Sequence, residues 1–375
     1  MSPEDWLADS APAGEPRRVP SGCATGGILD QAGRPIPGQM IANLMAAMHE
    51  RSNGLGGGFA GYGIYPEMAQ CYALHVMYDR DDHRQPVEQL LGNTTFLVRS
   101  ERIYTRPTRG IGLAPDMWRY FLQVPPSNLG TLSEEDYVVR LVMRINQELH
   151  GAWVVSCGKN LGVFKGVGYP EDIANFFRLD EYKAYQWVGH GRFPTNTVAW
   201  WGGAHPFSLL GWTVVHNGEI SSYGINRRYV EMYGYKCTLK TDTEVLVYLV
   251  DLIIRRQRLP WQALYAILAP PFWEQIERMS HPEKRRLYTA LRQVYGSAMA
   301  NGPFSIIIGH PEGMIGLTDR AKLRPLVAAR QGDLFLLASE EAAIRAVLPQ
   351  PESVWAPKAG FPAEGRLAAA AVMQP

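Results

Sequence analysis

The sequence predicts an α+β fold. Short apolar runs near the amino terminus, at 23–29 and 59–65, have the length and composition of buried strands. Helical spacing dominates the region 244–300, and short strand-like runs return after residue 304. Strands at both ends of the chain with helices between them favour one layered α+β unit over a string of separate domains.

The composition narrows the classes of function. The 375 residues are 46% hydrophobic and 19% charged, which is typical of a globular protein. The formal net charge of +1 argues against a broad nucleic-acid interface, so no nucleic-acid partner is expected. Four cysteines without a CxxC pair are too few for a disulfide framework and have no zinc-ligand spacing, so no metal is expected.

The amino-terminal segment does not have the features of a targeting signal. Residues 1–22 contain four prolines, mixed charges and no apolar core, unlike a secretory signal, and their acidic residues argue against a transit peptide. The most apolar later stretch, 245–254, is interrupted by Asp251 and is far shorter than a bilayer span. We therefore expect a cytoplasmic protein that does not enter a membrane.

In the first half of the chain the elements are short. Residues 38–52 have helical spacing with a methionine-rich face that is typical of core packing. Residues 70–80 alternate like a strand, whereas 81–150 mix short helical and loop patterns. Two apolar runs within 152–166 flank Gly158-Lys159-Asn160, which predicts a hairpin.

In the second half the patterns are stronger. Residues 244–256 predict an apolar helix, and Thr241, Asp242 and Thr243 stand where N-cap residues belong. The region 260–300 is predicted to be mostly helical. The remaining predicted elements are strands at 304–309, 314–318, 326–329 and 334–338 and a helix at 340–347.

Three segments place polar side chains beside glycines, where a backbone can approach a ligand closely. They are Gly-His-Gly-Arg-Phe-Pro-Thr-Asn-Thr at 189–197, Val-Val-His-Asn-Gly-Glu at 214–219 and Thr-Asp-Thr-Glu at 241–244. Each is weak alone, since Asn-Gly is usually only a turn. In this order, with Cys23 near the start of the chain, they form a specific pattern.

At these residues the sequence resembles the class II glutamine amidotransferases, which are N-terminal-nucleophile enzymes. The resemblance continues at 302–304, 317–326 and 338–344 and is weakest over about 70–180, which we expect to be an insertion. It implies a four-layer αββα sandwich. It also implies a propeptide over 1–22, an amidotransferase domain over 23–348 and a carboxy-terminal tail over 349–375.

Further details resemble one branch of that class. Three segments are most similar to the separate amidotransferase subunit of archaeal-type glutamate synthases: PSGC at 20–23, RSNGLGGGFAGYGIYP at 51–66 and NGEISSYGINRRY at 217–229. This resemblance implies a partner synthase subunit with FMN and Fe–S clusters, 2-oxoglutarate as the ammonia acceptor and no cofactor on this chain. Two alternatives are a subunit for another acceptor, such as methylamine in N-methylglutamate synthesis, and a silent regulatory subunit that keeps its leader.

The chemistry of glutamine hydrolysis needs a strong nucleophile and a base. A thiolate is the best side-chain nucleophile near neutral pH, and a free α-amine, with a pKa of about 7.7–8.0, can take the thiol proton. The resemblance implies that Cys23 plays both parts, which requires cleavage after Gly22 because Cys23 is not residue 2. Relatives commonly have Cys-Gly where this chain has Cys23-Ala24. The other cysteines are expected to pack in the core: Cys71, Cys157 and Cys237.

The resemblance assigns an oxyanion site to the Asn217 side-chain amide and the Gly218 backbone N–H. Removing one such donor typically costs about 2.7–4 kcal/mol of activation free energy. A glycine at 218 fits that role because the backbone must face the tetrahedral intermediate without a Cβ. The alternative is that both residues only form a turn.

The resemblance also assigns the substrate-binding residues. Arg192 is expected to hold the α-carboxylate of glutamine bidentately, with the Thr195 hydroxyl beside it. Asp242 and Glu219 are expected to take the α-ammonium. The alternative for Arg192 and Asp242 is a surface ion pair or a helix cap. Arg51 either orients the new amino terminus or forms a structural salt bridge.

Several other residues in the motifs are expected to be structural. His190 and His216 are predicted to pack or to support neighbours, since the class does not use a Cys/His dyad. Asp319, Arg320 and Arg324 are predicted to fix a turn between strands. The glycine run at 54–58 lacks the Lys-Ser/Thr of a phosphate-binding loop.

Overall fold

A computed structural model describes residues 22–193 and 199–368 and shows an α+β fold built mainly from antiparallel strands. The strands are β1 (Ala24–Asp30), β2 (Ile36–Pro37), β3 (Gly57–Tyr62), β4 (Tyr72–Tyr78), β5 (Phe96–Arg102), β6 (Asp116–Gln123), β7 (Ala152–Ser156), β8 (Leu161–Gly166), β9 (Lys183–Ala184), β10 (Gln186–Gly191), β11 (Phe207–Leu209), β12 (Trp212–Gly218), β13 (Phe304–His310), β14 (Gly313–Thr318), β15 (Val327–Gln331), β16 (Leu334–Ala338), β17 (Ser353–Trp355) and β18 (Ala363–Arg366).

The helices cover the outer faces of these sheets and fill the region before β13. They are α1 (Gly38–Ala46), α2 (Arg84–Thr94), α3 (Pro126–Leu129), α4 (Glu134–Glu148), α5 (Pro170–Phe176), α6 (Tyr223–Met232), α7 (Asp242–Val250), α8 (Trp261–Leu268), α9 (Trp273–Glu277), α10 (Pro282–Val294) and α11 (Glu341–Val347). A π-helical segment, Asp251–Arg256, continues α7. In the described parts of the chain, none of the helices is long and apolar enough to cross a bilayer.

Two sheets stack face to face at the centre of the molecule. One has seven strands in the order β17-β15-β16-β1-β10-β3-β8, and the other has five in the order β11-β12-β13-β14-β18. Their facing sides form one buried apolar cluster that includes Leu29, Val188, Val215, Ile307 and Met314. Because strand side chains alternate between faces, every second residue of the central strands points into this layer.

Helices close the sandwich on both sides. Helices α1, α5 and α11 pack on the outer face of the seven-stranded sheet. Helices α7 and α8 pack on the outer face of the five-stranded sheet, where Leu246, Leu249 and Leu264 join the core. The layers therefore follow the order α, β, β, α, as the resemblance predicts.

A third sheet is formed by strands between residues 72 and 156, a range that includes the region 81–150 where only mixed patterns are predicted. Its four strands have the order β5-β6-β4-β7. The strand predicted over 70–80 is confirmed as β4, whereas β5 and β6 are not predicted. The hairpin prediction over 152–166 is wrong, because β7 pairs with β4 while β8 pairs with β3 in the central sheet. The segment between β7 and β8 packs on other parts of the chain: the Asn160 side chain, for example, accepts a hydrogen bond of 2.7 Å from the Tyr65 N–H.

Most other predicted elements are confirmed with shifted ends. The helix predicted over 38–52 ends at Ala46 and is followed by a 3-10 turn, His49–Arg51. The helix predicted from 244 begins at Asp242, and the Thr241 hydroxyl caps it by accepting from the Glu244 N–H at 3.2 Å. Part of the segment 349–375, which the sequence assigns to a tail, contributes β17 and β18 to the outer edges of the two central sheets.

Candidate active site

The candidate nucleophile, Cys23, lies directly before β1 at one end of the layer between the two central sheets. Its Sγ accepts a hydrogen bond of 3.3 Å from the Phe193 N–H, and its carbonyl accepts one of 3.4 Å from Arg51 Nε. Burial raises the pKa of the Cys23 thiol, and the Phe193 N–H and the Arg192 charge only partly oppose that rise. The thiol is therefore protonated near neutral pH and needs a base before it can attack.

Asn217 and Gly218 are the last two residues of β12 and are held in register against β13. The Asn217 side chain is 1% exposed, and neither Oδ1 nor Nδ2 has a hydrogen-bond partner within the described residues. A Cβ built on Gly22 would lie 3.3 Å from Asn217 Oδ1, so the backbone entering Cys23 runs beside this amide. The pair ends a strand next to the candidate nucleophile and does not form an isolated surface turn.

Gly218 occupies a position that no other residue type fits. Its φ is 137°, which L-residues rarely adopt, and a Cβ there would lie 1.9 Å from the Pro303 carbonyl oxygen. The missing side chain lets the end of β12 approach the loop before β13. This approach fixes the position of the Gly218 backbone at the end of the strand, close to Cys23.

Arg192 follows β10 and is 6% exposed, so its side chain is buried and does not lie at the surface. Its N–H donates to the Gly56 carbonyl at 2.7 Å, and a Cβ on Gly56 would lie 3.2 Å from Arg192 Cδ. Burial lowers the pKa of Arg192, while the nearby charges of Cys23, Asp242 and Glu219 act in the opposite direction. The guanidinium thus lies among the other predicted site residues.

Asp242 is the first residue of α7, and its carboxylate faces the site. Its Oδ2 accepts from the Ile220 N–H at 3.1 Å, and its Oδ1 lies 3.2 Å from the Thr243 hydroxyl and 3.5 Å from His216 Nδ1. Burial raises the pKa of Asp242, but His216 and the donated hydrogen bonds outweigh it, and the net shift is downward. The carboxylate is therefore ionised and suited to a cationic ligand.

The remaining predicted residues differ in position. Glu219 lies just after β12 and is exposed, with its N–H bonded to the Pro303 carbonyl at 3.0 Å. Arg51 donates to the Cys23 carbonyl at 3.4 Å and forms a 2.8 Å ion pair with Glu340, so the salt bridge is present, whereas the role in orienting a new amino terminus stays a prediction. Thr195 lies outside the described residues.

One residue near the candidate nucleophile, Arg324, is predicted from the sequence only to fix a turn. A Cβ on Gly22 would lie 3.4 Å from Arg324 Nη1, and the Arg324 charge lowers the pKa of Cys23. The turn itself is fixed by Asp319, whose carboxylate accepts from the N–H groups of Ala321 and Leu323 at 2.8 and 2.9 Å. The only signal for Arg324 in the sequence is its place in the motif at 317–326.

The arrangement can perform acyl transfer on a small zwitterion. A thiol, a buried amide without a described partner and a strained glycine backbone meet at one point, with a guanidinium and an ionised carboxylate beside them. The three other cysteines are buried free thiols, as predicted: Cys71, Cys157 and Cys237. The roles of the individual site residues stay predictions.

The comparisons with known proteins agree with this chemistry. A family model described as "Glutamine amidotransferases class-II" matches residues 107–354, about two thirds of the chain. The matched range includes Arg192, Asn217, Gly218 and Asp242, whereas Cys23 precedes it.

The relatives differ widely in sequence identity and in the fraction of each chain that aligns. A protein of Archaeoglobus fulgidus named "Uncharacterized protein" is 51% identical over 353 residues, which is 92% of each chain. The isomerizing glutamine–fructose-6-phosphate aminotransferase of Sulfurisphaera tokodaii is 32% identical over 31% of this chain and 22% of that protein. Among solved structures, a glutamine phosphoribosylpyrophosphate amidotransferase from B. subtilis has a TM-score of 0.45 and 15% identity, over 92% of this chain and 50% of that one.

Proposed function

This chain belongs to the class II glutamine amidotransferases, and from that premise we propose that it hydrolyses L-glutamine to glutamate and ammonia through a thioester on Cys23. The observation that carries the proposal is the convergence on Cys23 of a buried amide, a guanidinium and an ionised carboxylate. Asn217 lies beside the backbone that enters Cys23, and the charges of Arg192 and Asp242 both act on the Cys23 thiol.

Substrate binding follows from the two charged residues. Arg192 takes the α-carboxylate of glutamine, because a planar guanidinium binds a carboxylate bidentately. Asp242 takes the α-ammonium, with Glu219 at the exposed side and Thr195 as a further donor to the carboxylate. Holding both ends of the amino acid directs the side-chain amide carbon toward Cys23 Sγ.

The reaction then proceeds in two stages. The Cys23 α-amine removes the thiol proton, Sγ attacks the amide carbon, and the oxyanion receives hydrogen bonds from Asn217 Nδ2 and the Gly218 N–H. The intermediate collapses with proton return from the α-ammonium, which breaks the C–N bond and releases ammonia. Water, deprotonated by the same amine, then hydrolyses the thioester to glutamate and the free thiol.

The base requires that residues 1–22 be removed. While Gly22 is attached, the Cys23 nitrogen is an amide and cannot accept a proton. Gly22 also fills the space beside Asn217, Arg324 and Arg51, where a Cβ would lie 3.3–3.6 Å from their side chains. Hydrolysis of the Gly22–Cys23 bond supplies the amine and clears this space together.

We further propose that the ammonia passes to a separate synthase chain that carries FMN and Fe–S clusters, with 2-oxoglutarate as acceptor and no cofactor on this chain. This rests on the resemblance of the segments at 20–23, 51–66 and 217–229 to the amidotransferase subunit of archaeal-type glutamate synthases. Co-purification of a flavin- and iron-containing chain and 2-oxoglutarate-dependent turnover test this acceptor. Turnover with methylamine instead would support the N-methylglutamate alternative. A cytoplasmic location stays a prediction.

The first test combines intact-mass analysis with a glutaminase assay on the native protein. We expect a mature chain that begins at Cys23, releases ammonia from glutamine and is inactivated by an electrophilic glutamine analogue at one thiol. Cys23→Ala should abolish activity and labelling while the protein remains folded. Cys237→Ala is the matched control, because that buried thiol lies in the core and should be dispensable for turnover.

Two outcomes contradict the proposal. A native protein that keeps its leader and shows no glutaminase activity would favour the silent regulatory alternative. Full activity in Cys23→Ala would overturn the assignment of the nucleophile.

A further inference from the structure

A cluster of buried polar side chains lies directly behind Asp242. It consists of His190 on β10, His205 before β11, His216 on β12 and Thr243 on α7, and we call it the histidine–threonine cluster. All four residues are buried. Because they come from four different segments, the cluster ties both central sheets to the start of α7.

Hydrogen bonds centre on the Thr243 hydroxyl. His205 Nε2 lies 2.8 Å and His216 Nδ1 3.3 Å from Thr243 Oγ1, which itself lies 3.2 Å from Asp242 Oδ1. A hydroxyl has one proton and two acceptor positions. When the Thr243 hydroxyl donates its proton to the Asp242 carboxylate, its two acceptor positions are left for the N–H groups of His205 and His216. The one donor and both acceptor positions of the hydroxyl are then used.

The rest of the cluster holds these two imidazoles in place. The His190 ring stacks on the His205 ring with 4.0 Å between centroids, and His190 Nε2 donates to the His216 carbonyl at 2.9 Å. Burial lowers the pKa of His190 to about 3 and that of His205 well below its ordinary value. Both rings are therefore neutral, with a single N–H each. We assign the His205 proton to Nε2, which lies 2.8 Å from Thr243 Oγ1, because Nδ1 has no hydrogen-bond partner among the described residues.

We propose that Thr243, held between His205 and His216, is a positioning residue that fixes the Asp242 carboxylate for the α-ammonium of glutamine. The inference rests on the proposed function, since it presumes that Asp242 binds the substrate. The Ile220 N–H holds Oδ2 at 3.1 Å and the Thr243 hydroxyl holds Oδ1 at 3.2 Å, so the two contacts together fix the rotation of the carboxylate. Without the hydroxyl, Oδ1 loses a donor and the His205 N–H loses its acceptor. His216 Nδ1 then keeps only its longer contact of 3.5 Å with Asp242 Oδ1.

The test separates recognition of the ammonium from catalysis. Thr243→Val replaces the hydroxyl by a methyl of similar volume, and Thr243→Ser restores the hydroxyl. Thr213→Val is the matched control, because Thr213 is a buried threonine on β12, the strand that also carries His216. Its hydroxyl lies 2.8 Å from the Tyr62 hydroxyl and not in the cluster. Each variant is processed to the mature chain, and its folding is checked by thermal unfolding.

We expect Thr243→Val to raise KM for glutamine at least tenfold while kcat changes less than threefold. The apparent Ki of glutaramate, the same amide without the α-amine, should stay within twofold, because that inhibitor has no ammonium for Asp242 to bind. Thr243→Ser and Thr213→Val should both keep KM within threefold of wild type. Should Thr243→Val not fold, Thr243→Ala removes the same hydroxyl without adding a methyl.

Binding measured without turnover distinguishes the possible failures. In a Cys23→Ala background, calorimetry should show the same tenfold loss of glutamine affinity on removal of the Thr243 hydroxyl. Two results with an active wild type would overturn the positioning role alone. In one, Thr243→Val binds glutamine as tightly as the wild type does; in the other, the substitution weakens the binding of glutamine and of glutaramate equally. A mature wild type that neither binds nor hydrolyses glutamine overturns the proposed function and the positioning role with it.

Discussion

At the scale of single residues, Asn217 combines deep burial with polar atoms that have no partner within the described chain. Buried amides usually have hydrogen-bond partners, because leaving a polar group unpaired costs about 1–3 kcal/mol. Under the proposed function, the Asn217 amide donates to the oxyanion that forms on the substrate. This is the arrangement that a preorganised oxyanion donor requires.

Asn217→Ala should lower kcat by about 100- to 1000-fold with little change in stability. The side chain makes no hydrogen bond to the described residues, so its removal breaks none there. Steady-state glutaminase kinetics and urea denaturation of the mature enzyme measure the two effects separately. A loss of kcat below threefold would reduce Asn217 to a structural residue.

Asn226→Ala is the matched control for a buried amide. Asn226 Nδ2 donates to the carbonyls of Ser297 and Met299 at 2.7 and 3.0 Å, and its Oδ1 accepts from Ser222 at 2.8 Å. Removing it leaves buried carbonyls unpaired and should lower the free energy of unfolding by about 1–3 kcal/mol. The folded fraction should keep its kcat within threefold, which is the opposite of the result expected for Asn217→Ala.

How far the sequence predicts the site depends on whether a residue lies in a recognisable motif. Cys23, Arg192, Asn217 and Asp242 stand beside glycines or a helix start in segments that resemble a family, and the structure brings all four together. The sequence does not predict the contribution of His205. Its neighbours in space come from distant segments, such as Thr243 at 2.8 Å, and no local pattern reports such a contact.

At the scale of elements, the end of β12 is defined by the glycine that follows Asn217. Gly218 pairs with Phe304 on β13, and its φ of 137° turns the chain toward the Pro303 carbonyl. A strand that ended differently would carry the Asn217 amide away from Cys23. The geometry of this strand end therefore decides whether Asn217 and Gly218 can form the proposed oxyanion site.

Gly218→Ala should reduce kcat at least 100-fold and lower the melting temperature. The new Cβ would lie 1.9 Å from the Pro303 oxygen, a backbone atom that cannot move aside without shifting β13. Gly332→Ala is the control, since Gly332 also has a positive φ, 53°, but a Cβ at that position would have no atom of the described chain within 4 Å. It should cost only about 1 kcal/mol and leave kcat unchanged. Equal effects of the two substitutions would mean that backbone strain, not the clash, governs this strand end.

The elements that the sequence does not predict have physical reasons. Strand β5 lies at the edge of its sheet and is mostly exposed, so its residues lack the apolar alternation of a half-buried strand. Strand β6 has a central aromatic run, Trp-Arg-Tyr-Phe at 118–121, that is typical of strands and was a usable signal. The hairpin prediction over 152–166 is wrong because local sequence cannot tell which sheet a strand joins.

At the scale of the whole molecule, the layer between the two central sheets is apolar in its middle and polar at the end near Cys23. Thr25 and His190 face this end from the seven-stranded sheet, and Asn217 and Ser305 lie opposite each other in the five-stranded sheet. Lys165 on β8 is the most extreme member, because its side chain is 1% exposed and ends in a titratable amine. Because a buried titratable group has different pKa values in the folded and unfolded chain, this burial makes the stability of the whole molecule depend on pH.

The free energy of unfolding of the wild type should rise with pH relative to that of Lys165→Met. The ammonium donates to the Gly202 carbonyl at 3.0 Å and lies 4.2 Å above the Phe207 ring, and burial lowers its pKa to about 7. Arg192 adds to this decrease, whereas Glu244 opposes it. Between about pH 7 and 10.5 the unfolded chain therefore binds a proton at Lys165 that the folded chain does not bind. Linkage then requires the stability of the wild type to rise with pH in this window.

Urea denaturation of both proteins between about pH 8 and 10.5 measures this difference. Burial also raises the pKa of Glu244 to about 7, so working above about pH 8 keeps most of its titration outside the window. The wild-type free energy of unfolding, minus that of Lys165→Met, should increase with a slope approaching about 1.4 kcal/mol per pH unit. Methionine keeps the length of the side chain but has no titrating group, so effects of all distant groups cancel in the difference. Parallel curves for the two proteins across this range would show that Lys165 keeps its proton in the folded state, with the Glu244 carboxylate as its buried counter-ion.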